Sequence, residues 1–464
     1  MMGRRAGEMA SLVGLWVLLA PGEGAAAGFW EIDRGSSTLA RGGANFAAAK
    51  DPTAVYLNPA ALSGLRGLQV MLDGNMGWDS RSFARADTSA RGTSLSFEEV
   101  TNRWSDGPSP GAFASYNFAS LGARKFTLAG GIYGPTRIYR NWPGDGPQRY
   151  SEVRYEPFER HIILGAAYEL PWWKTRVGMS GMMIQQTMKN TLALQLDAWG
   201  SVPEDERYDV QVAIDARDDW IPNALVGATV EPLPWLVFSL AHQLAYRVHA
   251  TGTADVTLGA GLQPRGGAAS LVSGNKMAMS LRLPSVTRAS MQVKDPAGRF
   301  DAEVAFVWED WQKRTSGDKE DAIELIPQDI TVGGAPLAPI EIDPHWRDTW
   351  SVRVGGAWRL SNALRVRAGT YYERAAIGER DLNVGMFDLN KVGVSLGSRL
   401  AVGGGFWVDV AGAYAYWLKR EVGNSRVYLE DPLDRSKTLW PVGNGTYGNT
   451  QLFVMAAVGA AFSL

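Results

Sequence analysis

From about residue 68 to its end the chain repeats one pattern: segments of about 10 residues in which apolar side chains alternate with polar or small ones, separated by turns rich in Gly, Pro, Asp and Asn. In 300–308, Phe300, Ala302, Val304, Phe306 and Trp308 share one face, and Asp301, Glu303 and Ala305 share the other. In 364–372, Leu364, Val366, Ala368 and Tyr372 oppose Arg365, Arg367 and Gly369. In 406–418, Phe406, Val408, Val410, Tyr414, Tyr416 and Leu418 oppose Asp409 and a run of alanines. Side chains alternate across an extended strand, so each segment carries one apolar face and one polar or small face.

Fourteen such segments can be placed, near 68–80, 110–120, 125–139, 159–170, 174–189, 222–231, 235–249, 276–295, 298–312, 348–360, 364–375, 390–401, 405–419 and 451–464. Pro284 cannot donate to a ladder, so a break is expected inside 276–295. The connections alternate strictly between long (81–109, 140–158, 190–221, 250–275, 313–347, 376–389, 420–450) and short (121–124, 171–173, 232–234, 296–297, 361–363, 402–404). A soluble sandwich shows the same period. Two features favour a membrane barrel: many segments exceed the roughly 9–11 residues a tilted strand needs to cross, and Trp235, Trp308, Trp311, Trp358, Tyr372 and Trp417 stand near segment ends as an aromatic girdle would. The expected fold is an all-β, 14-stranded antiparallel transmembrane β-barrel, with short turns on the periplasmic side and long loops outside.

The N-terminus carries Arg4 and Arg5, an apolar run from Ser11 to Ala20, Pro21 and the small run Ala25-Ala26-Ala27. This is the pattern of a secretory signal peptide cleaved after Ala27, which places the protein in a bacterial outer membrane. Residues 1–27 are then the signal peptide, 28–66 a small N-terminal unit, and 67–464 the barrel. The stretch Ala40–Leu62 is compact and Gly/Ala-rich, with an Asn58-Pro59-Ala60 step. It is too small for a domain of its own and is expected inside or beneath the barrel. Net charge is −2, so nucleic acid is not an expected partner. There are no cysteines and four histidines without ligand spacing, so no metal, cofactor or catalytic thiolate is expected. No nucleophile elbow, phosphate loop or HExxH is present, and Glu309 and Asp310 are adjacent on a strand and point apart, so an enzyme is not expected.

An ordered set of short phrases resembles the FadL/TodX family of outer-membrane transporters of hydrophobic compounds. The set comprises Gly28-Phe29; Arg41 to Ala44; Asp51 through Asn58-Pro59-Ala60-Ala61-Leu62; Gly131 to Pro135; Leu283-Pro284-Ser285; Val307 to Trp311; Arg347 to Gly355; and Arg367 to Tyr371. The resemblance implies that the N-terminal unit is a hatch plugging the lumen, carrying Phe29, Asn58, Pro59 and Ala60. It implies capture of a hydrophobic small molecule on outer loops, a lumenal pocket, and lateral exit at an inward kink of the third strand, here Gly130, Gly131, Gly134 and Pro135. Glycine weakens a strand and proline removes a ladder donor, so an opening there costs little.

Long-chain fatty acids are the default cargo; aromatic hydrocarbons by the same route, or polar solutes through a general porin, are the alternatives. Outer-membrane lipid and lipopolysaccharide are the expected surroundings, and a monomer is expected. Leu192, Leu194, Leu196 and Trp199 make the 190–221 connection greasy and are candidates for capture. Arg353, Arg365 and Arg367 face inward by parity and are candidates for holding a substrate carboxylate; mutual ion pairs in a solvated lumen are the plainer reading.

Overall fold

A computed structural model describes residues 34–102, 108–122, 125–135, 139–195, 203–262, 272–312, 314–315, 318–319, 322–332, 335–336, 339–430 and 438–462. The signal peptide, the cleavage site after Ala27, Phe29, Leu196 and Trp199 lie outside the described residues.

Fourteen antiparallel strands close into a barrel. They are β1 (Leu68–Arg85), β2 (Ser109–Asn117), β3 (Phe126–Tyr133), β4 (Arg154–Glu169), β5 (Arg176–Gln195) and β6 (Asp209–Leu233). Next come three strands in two pieces each: β7 (Leu236–Gln243, Tyr246–Leu258), β8 (Lys276–Leu283, Val286–Lys294) and β9 (Phe300–Glu309, Ile323–Pro327). β10 (Ile340–Ile342, Thr349–Arg359), β11 (Leu364–Glu373), β12 (Lys391–Gly403), β13 (Phe406–Val422) and β14 (Gly445–Phe462) complete the wall. The β1–β14 ladder runs unbroken from Leu68↔Phe462 to Arg85↔Gly445, which removes the edge a hydrocarbon environment would not tolerate. The split of β8 falls at Pro284, as its missing donor dictates. The split of β7 at 244–245 carries no such signal.

Several boundaries differ from those read in the sequence. β5 and β6 continue to Gln195 and from Asp209, so most of the 190–221 connection is a strand hairpin rather than a loop. The cause is visible there: Leu192, Val210, Val212 and Ile214 keep the period-two burial above the bilayer. β3 is shorter than expected and stops at Tyr133.

Alternation decides what faces lipid. On β1, Met71, Asp73, Asn75, Asp79 and Arg81 are buried while Leu72 and Trp78 are exposed. Trp308 pairs with Trp350 at one level, and Phe300 packs on Trp358 at another. From Trp350 to Trp358 a strand runs roughly 26 Å, or about 20 Å along the membrane normal at a tilt of about 40°, close to the height of the apolar band of such barrels. Trp311 and Trp417, expected in the girdle, are instead buried inside. Trp417 shares the parity of inward Asp409, and Trp311 falls beyond the end of its ladder, where it donates to Glu309 at 2.8 Å and lies 4.7 Å from Trp346.

Residues 34–65 lie inside the short-turn half of the lumen. They form two single-turn helices, Ser36–Leu39 and Ala54–Leu57, and a 3-10 helix Pro59–Gly64. Glycines of the wall make room for them. Gly178 and Gly227 pair across β5 and β6, and a Cβ on either would collide with the Asn58-Pro59-Ala60 step. Gly355 and Gly369 pair across β10 and β11 against the backbone at Arg41 and Gly42. Buried charge fixes the register. The fully buried Glu303 carboxylate accepts the backbone N–H groups of Phe46 (2.8 Å), Ala47 (3.0 Å) and Ala48 (3.0 Å). Arg41 pairs with Asp301 at 2.6 Å, and Arg399 bridges Asp51 (3.2 Å) and Asp409 (2.6 Å).

Removing a buried carboxylate that holds such donors costs about 3 kcal/mol or more. Glu303→Ala is therefore expected to leave the barrel folded, with heat-modifiable gel mobility intact, but to expose Arg41 and Lys50 to trypsin. Unchanged resistance at both sites would show that Glu303 does not hold the segment.

Candidate functional site

The two halves of the lumen differ. The short-turn half holds the charged network and residues 34–65. The long-loop half buries the apolar Ile184, Met188, Leu192, Val248, Met277 and Leu281 beside ion pairs of its own, Arg81–Asp79, Arg140–Glu152 and Arg149–Asp209. Methionine packs adaptably against apolar guests of varied shape. Leu192 therefore stands on the inner face of β5, with Leu194 partly buried behind it.

Between β3 and β4 the wall is interrupted. Their ladder runs from Phe126↔Tyr168 to Tyr133↔His161, stops, and resumes at Arg140↔Tyr155. Six residues (134–139) join the two paired stretches on the β3 side and five (156–160) on the β4 side, so the β3 side has one residue too many to stay in register. Gly134 and Pro135 begin this stretch. Gly130 and Gly131 lie just before it, in a ladder that is intact on both sides.

Arg34 of the N-terminal segment covers the break. Its guanidinium donates to Asp73 Oδ1 on β1 (2.6 Å), to Ser109 O (2.6 Å) and Oγ (3.0 Å) on β2, and to the Gly134 carbonyl. Ser109 Oγ also donates to Gly134 O (3.0 Å) or Pro135 O (3.1 Å). Tyr56 donates its hydroxyl to Arg34 O, and its ring lies 4.7 Å from Tyr133 and 5.8 Å from Phe113. The carbonyl that the ladder leaves unpaired is thereby satisfied from the lumen side.

A family model described as outer membrane protein transport protein (OMPP1/FadL/TodX) matches residues 17–437. The chain belongs to this family. In fold, this FadL/TodX family member is similar to a Pseudomonas aeruginosa FadL homologue, with a TM-score of 0.75, 14% identity and coverage of 92% of this chain and 98% of that one. It is also similar to the toluene transporters TbuX of Ralstonia pickettii (TM-score 0.64, 14% identity, covering 93% and 99%) and TodX of P. putida (0.63, 13%, 93% and 99%). A curated outer membrane protein of Neisseria meningitidis serogroup B is 26% identical over 131 residues, and the match spans 28% of each chain. Family and fold together make the protein an outer-membrane transporter of hydrophobic compounds.

The three arginines read as carboxylate candidates already have acidic partners. Arg367 pairs with Asp409 (3.2 Å), Arg365 with Asp301 (3.4 Å) and Arg353 with Glu373 (3.7 Å). Arg353 also packs against Gly43. Asn58 is fully buried; its amide donates to Phe46 O (3.1 Å), and its Oδ1 accepts from Ala60 N (3.2 Å). Arg34 carried no motif that would single it out in the sequence.

The loop 374–390 folds back over the outer end of the lumen, with Phe387 5.6 Å from Tyr447 and 5.2 Å from the Arg81 guanidinium. Burial pushes its Asp388 carboxyl up to about 6, opposed by Lys391. A raised acid pKa means the folded loop gains stability as pH falls through about 6 and loses it as pH rises above that value. Amide exchange across 375–389, corrected for intrinsic rate, is expected to slow between pH 7.5 and pH 5, and Asp388→Asn is expected to abolish that difference.

Proposed function

We propose that the protein takes up long-chain fatty acids by passive diffusion, with residues 28–66 acting as a hatch. A molecule caught at the outer loops, including Leu192 and Leu194, enters the Met- and Leu-lined upper lumen. Movement of the hatch withdraws Arg34, and the molecule leaves sideways at Gly134-Pro135 into the membrane. The observation that carries this reading is the buried Arg34 guanidinium, which bonds a carbonyl at the very place where the wall ladder lapses. Lateral exit suits the cargo, because an apolar chain gains nothing from crossing the watery periplasm alone.

Asn58, Pro59 and Ala60 act as the brace on which the hatch rests, seated on Gly178 and Gly227. Arg353, Arg365 and Arg367 act in holding the hatch and the lower lumen together rather than in binding a carboxylate. Aromatic hydrocarbons are the second reading of the cargo, favoured by the fold shared with the toluene transporters. A general porin is disfavoured by the segment seated in the lumen.

The test is uptake of labelled oleate and labelled toluene by cells lacking their own transporter. Oleate is expected to enter faster than in empty-vector cells, and no gain for either compound would sink the transport reading. Deleting Pro135 removes the surplus residue and lets the β3–β4 ladder run through in register. That variant is expected to keep its fold and to lose about tenfold or more in oleate uptake. Full uptake by the deletion variant would overturn the lateral route while leaving transport standing.

A further inference from the structure

The lipid-facing wall beside the interruption is not smooth. Along most of the barrel, alternation puts large apolar side chains outward. Across β2 and β3 it puts Ala112, Ala114 and Gly130 there instead. The register lines these up with small neighbours. Ala460 of β14 pairs with Val70 of β1, Val70 with Ala114, Ala114 with Gly130, and Gly130 with Leu164 of β4. The result is an apolar groove of about 850 Å³ on the outside of the wall, bounded by Phe406 at one end and by Leu164 at the other. From β13 to β4 it crosses five strand spacings, roughly 24 Å. Its floor includes the inward-pointing Phe113 and Met71, because Gly130 and Gly131 leave the wall thin there.

A polar group lies just beyond the groove's edge at Ile162. Arg160 lies on the same outward face of β4, two residues above Ile162, on the stretch 156–160 that has no ladder partner on the β3 side among the described residues. Its guanidinium donates to the neutral amide oxygen of Gln185, at 2.7 Å from Nε. Among the described residues it has no carboxylate partner. An unneutralised arginine at the lipid face is costly near the bilayer midplane and tolerable toward the interface.

We infer that this outer groove is an exit site for a single long-chain carboxylate: Arg160 holds the carboxylate beside the wall interruption, and the acyl tail lies across Ala112, Ala114 and Gly130. The inference rests on the lateral route proposed above and narrows its cargo to ionised amphiphiles. A phospholipid phosphate would satisfy the guanidinium as well, so it is continuity with the interruption that points to the departing substrate rather than to a bilayer phospholipid. A guanidinium pairs a carboxylate in two-pronged fashion and offers little to an uncharged ester or a hydrocarbon.

The chain has no cysteine, so single labels are clean. A bimane label is placed at the groove rim with Leu164→Cys, and on the distant β7 with Leu240→Cys, both exposed outward. The protein is reconstituted in unbrominated phospholipid, and brominated stearate is added at low mole fraction. Quenching at the rim is expected to exceed that on β7 by about threefold or more. The excess is expected to vanish for the methyl ester, with Arg160→Gln, or with Ala112→Leu/Ala114→Leu filling the groove. Equal quenching at the two positions overturns the inference. So does an equal rim excess with brominated phospholipid, which would make the groove an ordinary lipid site. Binding is read without transport, so a failure of oleate uptake in cells would sink the route while leaving the groove result readable on its own.

Discussion

A barrel in hydrocarbon must satisfy every backbone N–H and C=O from within its own wall, and this wall does so everywhere its ladder runs. Where it lapses, at Gly134, the missing bond comes from the lumen. Arg34 brings five N–H donors in a fixed fork and spreads them over β1, β2 and the start of the break. One side chain of the inner segment therefore closes a gap in the outer wall. The gap and the segment are not independent features, and neither is explained without the other.

The same logic runs through the lower lumen. Glu303, Asp301, Asp409 and Arg399 are inward by parity and nearly dry, and a buried charge without a partner is among the most expensive things a fold can hold. Residues 34–65 bring Arg41, Asp51 and three consecutive backbone N–H groups to meet them. The segment buries Phe46, Val55, Leu57 and Leu62 fully in one core with the wall, and complementarity of charge and glycine clearances fix where it sits. Such a contact is specific in position, and one loss exposes several unpaired groups at once. That combination suits the movable hatch proposed above.

Much of the wall was legible because period-two alternation and the short–long rhythm of connections are direct consequences of a strand crossing a membrane. Trp417 was legible too, had parity been followed: it shares the face of Asp409 and Ala411. What escaped was of another kind. The glycines Gly178, Gly227, Gly355 and Gly369 read as weak points in strands, whereas their role is to let a second backbone approach, which only the pairing across β5–β6 and β10–β11 reveals. Arg34 sits in no pattern at all; its meaning comes from three strands that meet it from residues 73, 109 and 134. The kink was read over Gly130, Gly131, Gly134 and Pro135; the ladder lapses at the last two, and that it does so because one residue is in excess is invisible until the partner strand is known.

Gly130 and Gly131 still matter, in a different way. With no side chains on either face, they leave only the Phe113 ring between the lipid-facing groove and Tyr56 of the inner segment, 5.8 Å away. Tyr56 in turn bonds Arg34. The chain of contact from groove to Phe113 to Tyr56 to Arg34 is short, and each step is a packed ring or a buried hydrogen bond. Occupancy of the groove and the position of Arg34 therefore bear on the same few side chains. Any linkage between them is reciprocal: if withdrawal of Arg34 eases entry of an acyl tail into the groove, a tail lying there must by the same amount disfavour return of Arg34 to Gly134. A passive channel gains direction only from its gradients, but such linkage would keep the wall open until the departing molecule has cleared it.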